Sequence, residues 1–249
     1  MTLKQILGMS WTLAKTHLKL KSEGSYLGYL WYLLGPLLLF TLLYFIFSKR
    51  LGENIPNYAL YLLLGIIIWN FFSRATSEAM ASTKLPIIKS INFPKEVLVI
   101  SSVLAIAILH FFELVIFILF MIGFGISPFA IIYYPFIFVL FFAFILGVSF
   151  ILATINPYLA DIENIWGFLI KIGFFATPIF YSLKEHGYIT IANLFNPVYY
   201  FIEASRKIII YQQIPELFII LGMIAYAILF LVVGYIIFNK FKHKFAELI

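Results

Sequence analysis

The sequence predicts an all-α polytopic membrane protein with six transmembrane helices, and three observations lead to that fold class. Hydrophobic residues make up 63% of the 249 residues and charged residues 11%, whereas a soluble domain is about 45–50% apolar and about 25% charged. Long apolar runs recur along the chain, and a helical span needs roughly 20 such residues. Strict alternation of apolar and polar residues is absent, which argues against a β-barrel. The predicted spans are about Tyr29–Phe47, Tyr58–Phe72 with an extension through Thr76, Val97–Ile122, Ile131–Ile155, Ile165–Tyr181 and Leu217–Phe238.

The first 24 residues are predicted to form an amphipathic helix in the membrane interface. Apolar residues recur there at steps of three and four, and lysines mark the other side, facing lipid phosphates. The apolar side carries Leu3, Ile6, Leu7, Trp11, Ala14 and Leu18, and the polar side carries Lys4, Gly8, Thr12, Lys15 and Lys19. A solvated leader is the alternative. We expect one membrane domain over residues 1–249: this helix (1–24), a six-span core (25–238) and a cytoplasmic tail (239–249).

The distribution of Lys and Arg predicts that both termini are cytoplasmic. The inner segments would then be 1–28, 73–96, 156–164 and 239–249, and the outer segments 48–57, 123–130 and 182–216. The inner segments hold 11 Lys and Arg and the outer segments hold 5. Because cytoplasmic loops of membrane proteins are enriched in these residues, this orientation is favoured. The net charge of +6 is attributed to these loops and not to nucleic-acid binding.

Two of the predicted connections are longer than a turn requires. Ser73–Glu96 is cytoplasmic in this topology, whereas Ser182–Glu216 is outside and contains the apolar runs Val198–Ile202 and Ile208–Tyr211. An outer segment of this kind can dip back into the membrane if protein buries its backbone. The apolar runs therefore predict an outer segment that can re-enter the membrane before the last span.

Several kinds of chemistry are excluded by what the sequence lacks. It has no G-x-x-x-x-G-K-[ST] phosphate loop and no Gly-Lys pair, so energy for active transport would come from a partner or an ion gradient. It has no cysteine for a disulfide or a thiolate site. The four histidines lie far apart without ligand-type spacing, so no metal site is predicted.

Three ionisable residues fall inside predicted spans, where a central charge costs roughly 2.5–3.5 kcal/mol. His110 and Glu113 share one helical face; they are read either as a proton relay or as a mutually hydrogen-bonded pair, and the pair is favoured. Lys171 lies about 15 Å from Glu113 in depth at 1.5 Å per residue, beyond the reach of a lysine. Lys171 therefore either snorkels to the inner interface or faces a wet conduit, where it could meet a phosphate of the substrate.

Aromatic residues, 20% of the chain, form stripes on two predicted spans. The first contains Tyr26, Tyr29, Phe40, Tyr44 and Phe47, and the second contains Phe168 and Phe175 with Lys171 between them. Sugar rings have apolar faces that pack on aromatic rings, so such walls suit a glycan conduit. Contact with lipid or with other helices is the alternative for each ring.

Three stretches resemble the permease subunit of ABC-2-type polysaccharide exporters, the group that includes O-antigen, capsule and teichoic-acid transporters. Ser25–Phe47, SYLGYLWYLLGPLLLFTLLYFIF, is similar to the family's LG-x-x-W-x-x-x-x-P start of span one. Tyr58–Pro94, with LLLGIIIWNFF and LPIIKSINFP, resembles the G-x-x-x-W-x-F-F span and the K-x-x-x-F-P element. Asp161–Arg206, with ATPIFY and NPVYYFIEASR, resembles the T-P-I-F-Y and N-P…R segments. The family often has Arg-Asp before span five, but here Ala160 precedes Asp161, so no role is carried over for that arginine.

The resemblance implies a homodimer of six-helix subunits bound to two copies of an ABC ATPase, which would hold ATP and Mg while this chain holds no cofactor. Thr83–Phe93 would be the coupling helix that docks into the ATPase, with Lys84, Leu85, Pro86, Ile87, Ile88 and Lys89 at its centre. Spans one and five would line the channel. Residues 182–216 would be the re-entrant outer helices, in which Asn196, Pro197 and Arg206 match the family's motif.

On this basis we expect a non-enzymatic subunit of an ATP-driven exporter that moves lipid-linked polysaccharide, with O-antigen favoured, across the bacterial cytoplasmic (inner) membrane. Export of teichoic acid, or of a drug or lipid, by the same architecture is the nearest alternative. An ion-coupled secondary transporter and a membrane-bound glycan-modifying enzyme remain as other classes. Both would need more acidic residues within the membrane than the sequence provides.

Overall fold

A computed structural model of the chain describes residues 2–22, 30–84, 94–159, 161–183 and 188–242, which contain helices and no strand. The α-helices within these ranges are α1 (Leu3–Ser22), α2 (Leu30–Phe47), α3 (Tyr58–Ala81), α4 (Lys95–Gly123), α5 (Tyr134–Ile155), α6 (Ile162–Ala176), α7 (Tyr188–Leu194), α8 (Pro197–Ser205) and α9 (Leu217–Phe241). Short 3-10 turns cover Ser82–Lys84 and Pro128–Tyr133, and a π-turn over Arg206–Ile210 extends α8.

The predicted fold class, an all-α polytopic membrane protein, is confirmed. Within the described ranges, α3, α4, α9 and α5 with its preceding turn are long and apolar enough to cross a membrane. The described part of α2 has 18 residues and α6 has 15, so at 1.5 Å per residue they cover about 27 Å and 22 Å of the roughly 30 Å hydrocarbon core. The count of six spans and the division of the domain therefore stay predictions.

Helix α3 forms the centre of the bundle. It packs mainly against α4 and α5, with further contacts to α2, α6 and α8, and its residues 58–69 are all buried. A helix that is apolar on every side, as this one is over YALYLLLGIII, belongs in the interior. On the outside of this core, α9 lies along α5, and the two backbones touch where Gly147 meets Gly234.

Two predicted helix ends are wrong. The second span was expected to end between Phe72 and Thr76, but α3 continues to Ala81, so Arg74, which was assigned to the connection after this span, lies inside a helix. The fifth span was expected to reach Tyr181, but α6 ends at Ala176. The reason is Pro178, which lacks an N–H and keeps the residue before it out of the helical region; that residue, Thr177, is extended.

Helix α1 packs against α4, so the alternative of a solvated leader is wrong. The buried stripe consists of Ser10, Ala14 and Leu18, whereas Leu7 and Trp11 are about half exposed. The predicted single apolar side therefore divides into a protein-facing part and an exposed part. The Nζ atom of Lys15 lies 5.1 Å from the Trp11 ring centroid on the exposed side, as expected for an interface helix with aromatic and basic residues together.

Candidate functional site

Helix α6 brings together the three residues predicted on the fifth span. The side chains of Phe168 and Phe175 are 63% and 61% exposed, and Lys171 lies between them on the same exposed face. With the residues that the structure describes, Lys171 forms no ion pair. The predicted aromatic stripe with its central lysine is thus present as a continuous free face in the single subunit.

The opposite face of α6 holds the helix on the core. Trp166 donates from Nε1 to Oγ1 of Thr76 at 3.2 Å, and Phe174 packs edge-on against Trp69. Gly173 is needed for this close approach, because a Cβ there would lie 2.7 Å from the Trp69 ring. Helix α6 therefore rests on α3 through one narrow strip, which fixes the direction in which Phe168, Lys171 and Phe175 point.

The described aromatic residues of the predicted first-span stripe are less exposed on helix α2 than those on α6 are. The ring of Phe40 is buried and lies edge-on to Phe120, with centroids 5.7 Å apart, so it packs within the subunit core. Tyr44 is half-buried and stacks on Tyr58 at 6.2 Å. Tyr26 and Tyr29 lie outside the described residues. The channel role of these four residues stays a prediction.

The predicted coupling element begins at the end of α3. The 3-10 turn over Ser82–Lys84 follows that helix directly, and the buried hydroxyl groups of Ser82 and Thr83 donate to the carbonyls of Ala79 and Met80. Leu85, Pro86, Ile87, Ile88 and Lys89 lie outside the described residues, as does the side chain of Lys84. Docking of this segment to an ATPase stays a prediction.

Asn196 and Pro197 start helix α8 in the predicted outer segment. The side-chain oxygen of Asn196 accepts from the N–H of Val198 at 3.1 Å, which caps the helix, and Pro197 occupies the first turn, where its missing N–H costs nothing. The Nδ2 group of Asn196 also donates to Oγ1 of Thr177 at 2.8 Å. This bond ties the start of α8 to the extended residue that ends α6.

Arg206 at the end of α8 is completely buried and binds backbone carbonyls from two other segments. Its Nη1 donates to the carbonyl of Pro178 at 2.7 Å, and its Nη2 donates to the carbonyls of Ile179 at 2.8 Å and Tyr61 at 3.1 Å. Its Cζ lies 3.3 Å from the Tyr61 ring centroid, and Gly65 leaves the space that the guanidinium fills. The predicted outer-segment arginine is thus the centre of a structural joint between α3, α8 and the segment after α6.

An open pocket of about 520 Å³ lies beside this joint, between the turn that precedes α3 and the outer helices. Its wall includes Tyr199, Glu203, Lys207 and Glu216. Lys207 donates from Nζ to a carboxylate oxygen of Glu216 at 2.7 Å, and this hydrogen bond lowers the pKa of Glu216 below its ordinary value. The pocket thus combines an aromatic ring with fixed charges of both signs at the predicted outer face.

Two polar contacts between helices, which the sequence did not reveal, lie in the core. Arg74 donates from Nη1 to Oε1 of Glu113 at 3.1 Å, and Nε2 of His110 lies 2.6 Å from the hydroxyl oxygen of Tyr134. The favoured reading of His110 and Glu113 as a mutually hydrogen-bonded pair is wrong, since Nδ1 of His110 and Oε2 of Glu113 are 3.7 Å apart. Each residue instead binds a neighbouring helix, because Arg74 offers the carboxylate a charged donor. The available signal was Arg74 itself, a charged residue that closely follows the apolar run of the predicted second span.

Comparisons of the sequence with known proteins identify its family. The ABC-2 type transporter family matches residues 10–210 of the chain. An O-antigen export system permease protein RfbA of Klebsiella pneumoniae is 30% identical over 246 residues, which cover 93% of this chain and 91% of the relative. A protein of the same name from Myxococcus xanthus is 25% identical and covers 98% of this chain and 96% of the relative. The chain belongs to the ABC-2 type transporter family.

Proposed function

We propose that this chain is the transmembrane subunit of an ATP-driven exporter that moves lipid-linked polysaccharide, O-antigen in the first instance, across the bacterial cytoplasmic membrane. Two copies would form the channel, and two copies of an ABC ATPase would bind ATP and Mg. Both termini and the segment 84–89 would face the ATPase side. The names of the similar proteins from Klebsiella pneumoniae and Myxococcus xanthus support this choice of substrate.

The exposed face of α6 is the observation that carries the proposal. Lys171 stands between two exposed aromatic rings on an apolar helix, and a lysine that faces lipid there has to snorkel to the interface or bear part of the roughly 2.5–3.5 kcal/mol that a charge costs at the bilayer centre. A wet conduit between two subunits removes that cost, because the charge then meets water or an anion. The rings of Phe168 and Phe175 offer flat apolar surfaces on which sugar rings can slide, and Lys171 would meet the phosphates of a polyprenyl-linked end.

The state of Glu113 argues against an ion-coupled transporter. A carboxylate that carries protons or cations has to be available to them, whereas Glu113 is buried and bound by Arg74. The ion pair therefore favours a structural use of this acid. This supports an exporter whose energy comes from a partner subunit.

The first test replaces Lys171 by Met in the complex with its ATPase. We expect export to fall by about tenfold, because a charge-assisted hydrogen bond contributes roughly 1.5–3 kcal/mol and each 1.4 kcal/mol is a factor of ten. The measurement is the amount of surface polysaccharide per assembled complex. The control is Lys240→Met, which removes a lysine near the end of α9, away from the exposed face of α6. If Lys171→Met exports as much polysaccharide as the control Lys240→Met, Lys171 has no role in the conduit.

A further inference from the structure

Pro36 lies inside α2, and because proline has no N–H, the helix lacks one backbone hydrogen-bond donor. In an α-helix the N–H of residue i donates to the carbonyl of residue i−4, and proline has no N–H. The carbonyl affected by Pro36 is that of Tyr32. Pro36 itself is buried, so this part of α2 lies against the rest of the bundle.

Arg74 of α3 supplies the donor that Pro36 lacks. Its Nη1 donates to the carbonyl of Tyr32 at 3.0 Å, and its Cζ lies 5.4 Å from the Tyr32 ring centroid. Gly35 is exposed, yet a Cβ at this position would come within 3.3 Å of Nη2 of Arg74. The absence of a side chain at Gly35 thus lets the guanidinium approach the α2 backbone.

Helix α4 holds the guanidinium of Arg74 from the other side, through Glu113. Nη1 of Arg74 also donates to Glu113, whose side chain is 4% exposed, and a separate contact between His110 and Tyr134 joins α4 to α5. His110 is further fixed by Phe71 of α3, since the two rings stack with centroids 4.5 Å apart. Arg74 therefore extends from α3, is held by α4 and reaches out to α2.

The second half of α2 is held by ring contacts with other segments. Phe40 meets Phe120, Tyr44 meets Tyr58, and Phe47 stacks on Phe180. In the first half, Arg74 forms a directional hydrogen bond to the Tyr32 carbonyl, which Pro36 leaves without its usual backbone donor. Such a link specifies the position of the first two turns of α2 more sharply than apolar contacts do.

We propose that Arg74 is a positioning residue that fixes the first half of α2 on the α3–α4 core through the carbonyl exposed by Pro36, with Glu113 orienting the guanidinium. The consequence for transport, namely that this link sets the position of a channel wall, rests on the proposed function. The link itself does not, and it is tested on the permease subunit without substrate or ATPase.

The test measures the distance between spin labels on α2 and α4 by pulsed electron resonance. The chain contains no cysteine, so Leu38→Cys and Val115→Cys, both at exposed positions, can be labelled without removing native thiols. The variant is Arg74→Met together with Glu113→Gln, because Arg74→Met alone would leave a buried carboxylate unpaired. We expect the narrow distance distribution of the parent protein to broaden and shift. A second label pair on α4 and α5, Val115→Cys with Val139→Cys, is expected to stay unchanged.

Pro36→Ala is the matched control, because it tests whether Arg74 acts through its hydrogen bond to the Tyr32 carbonyl. Alanine restores an N–H that can donate to Tyr32, so removing Arg74 should change the α2–α4 distribution less in this background than in the parent. If Arg74 only neutralised Glu113, the effect would be the same in both backgrounds, and that result would overturn the proposal. An α2–α4 distribution unchanged by the double variant would also overturn it. Should the double variant fail to assemble, Arg74→Lys is measured instead, with a smaller broadening expected in the same direction.

Discussion

Replacement of Arg206 by Met is expected to lower the midpoint of thermal unfolding in detergent by about 6–12 °C. The guanidinium is completely buried and supplies charged donors to the carbonyls of Tyr61, Pro178 and Ile179. Each such hydrogen bond contributes roughly 1.5–3 kcal/mol, and buried acceptors left without a donor add a desolvation cost. Allowing for the hydration that a buried arginine loses, the net loss is about 3 kcal/mol, which corresponds to about 2–4 °C for each kcal/mol at this chain length.

The neighbouring residue gives a matched control for this prediction. Lys207 also carries a positive charge at the end of α8, but its partner Glu216 is 49% exposed, and surface ion pairs contribute about 0–1 kcal/mol. Lys207→Met is therefore expected to shift the midpoint by about 4 °C or less. Arg206→Lys should fall between the two, since one ammonium cannot reproduce the fork of the guanidinium. Equal midpoints for Arg206→Met and Lys207→Met would show that the buried joint contributes nothing beyond a surface charge.

Replacement of Gly147 by Ala is expected to separate α5 from α9. A Cβ at Gly147 would lie 2.2 Å from the carbonyl carbon of Phe230, and a Cβ at Gly234 would lie 2.2 Å from the carbonyl oxygen of Gly147. Backbone atoms cannot rotate away as a flexible side chain does, so one helix has to move. Small residues allow such close packing between membrane helices, and forcing extra volume into a packed contact costs about 1–3 kcal/mol, occasionally more.

Gly167→Ala is the control, because Gly167 lies within α6 and nothing approaches its Cβ position within 4 Å. There, alanine should be neutral or stabilising by up to about 1 kcal/mol, since it favours the helix more than glycine does. Thermal unfolding of the two variants in detergent is the measurement. If Gly147→Ala is as stable as Gly167→Ala, then α5 and α9 do not meet at this point.

Much of the fold could be predicted from the apolar runs. A backbone that spans lipid has to be helical, so the length of each apolar run indicates the length of a helix. Helices within Ser182–Glu216 were expected from the resemblance, and the structure has α7 and α8 there, while their position outside the membrane stays a prediction. What periodicity could not supply was orientation within an all-apolar helix. Phe40 and Tyr44 share a stripe, but the buried side of such a helix depends on its neighbours, so Phe40 turned out to face the core.

The polar contacts that join the helices could not be predicted from the sequence, because they depend on the three-dimensional arrangement. Arg74 was counted as a loop residue because charges near the end of an apolar run usually mark the loop, and its partner Glu113 lies 39 positions away. Arg206 was named only through the resemblance, since nothing in the sequence says that a lone arginine will bind three carbonyls. The face with Phe168, Lys171 and Phe175 could be predicted because it lies on one short helix, at spacings that three to four residues per turn bring together.

Deletion of the gene for this chain tests the central proposal most directly. The location of long polysaccharide is imaged in the deletion strain and in the same strain carrying the gene on a plasmid. The proposed function predicts polymer trapped in the cytoplasm and missing from the surface, with surface polymer restored by the plasmid copy. Normal surface polysaccharide in the deletion strain, with no second exporter present, would contradict polysaccharide export and favour a drug or a lipid as the substrate.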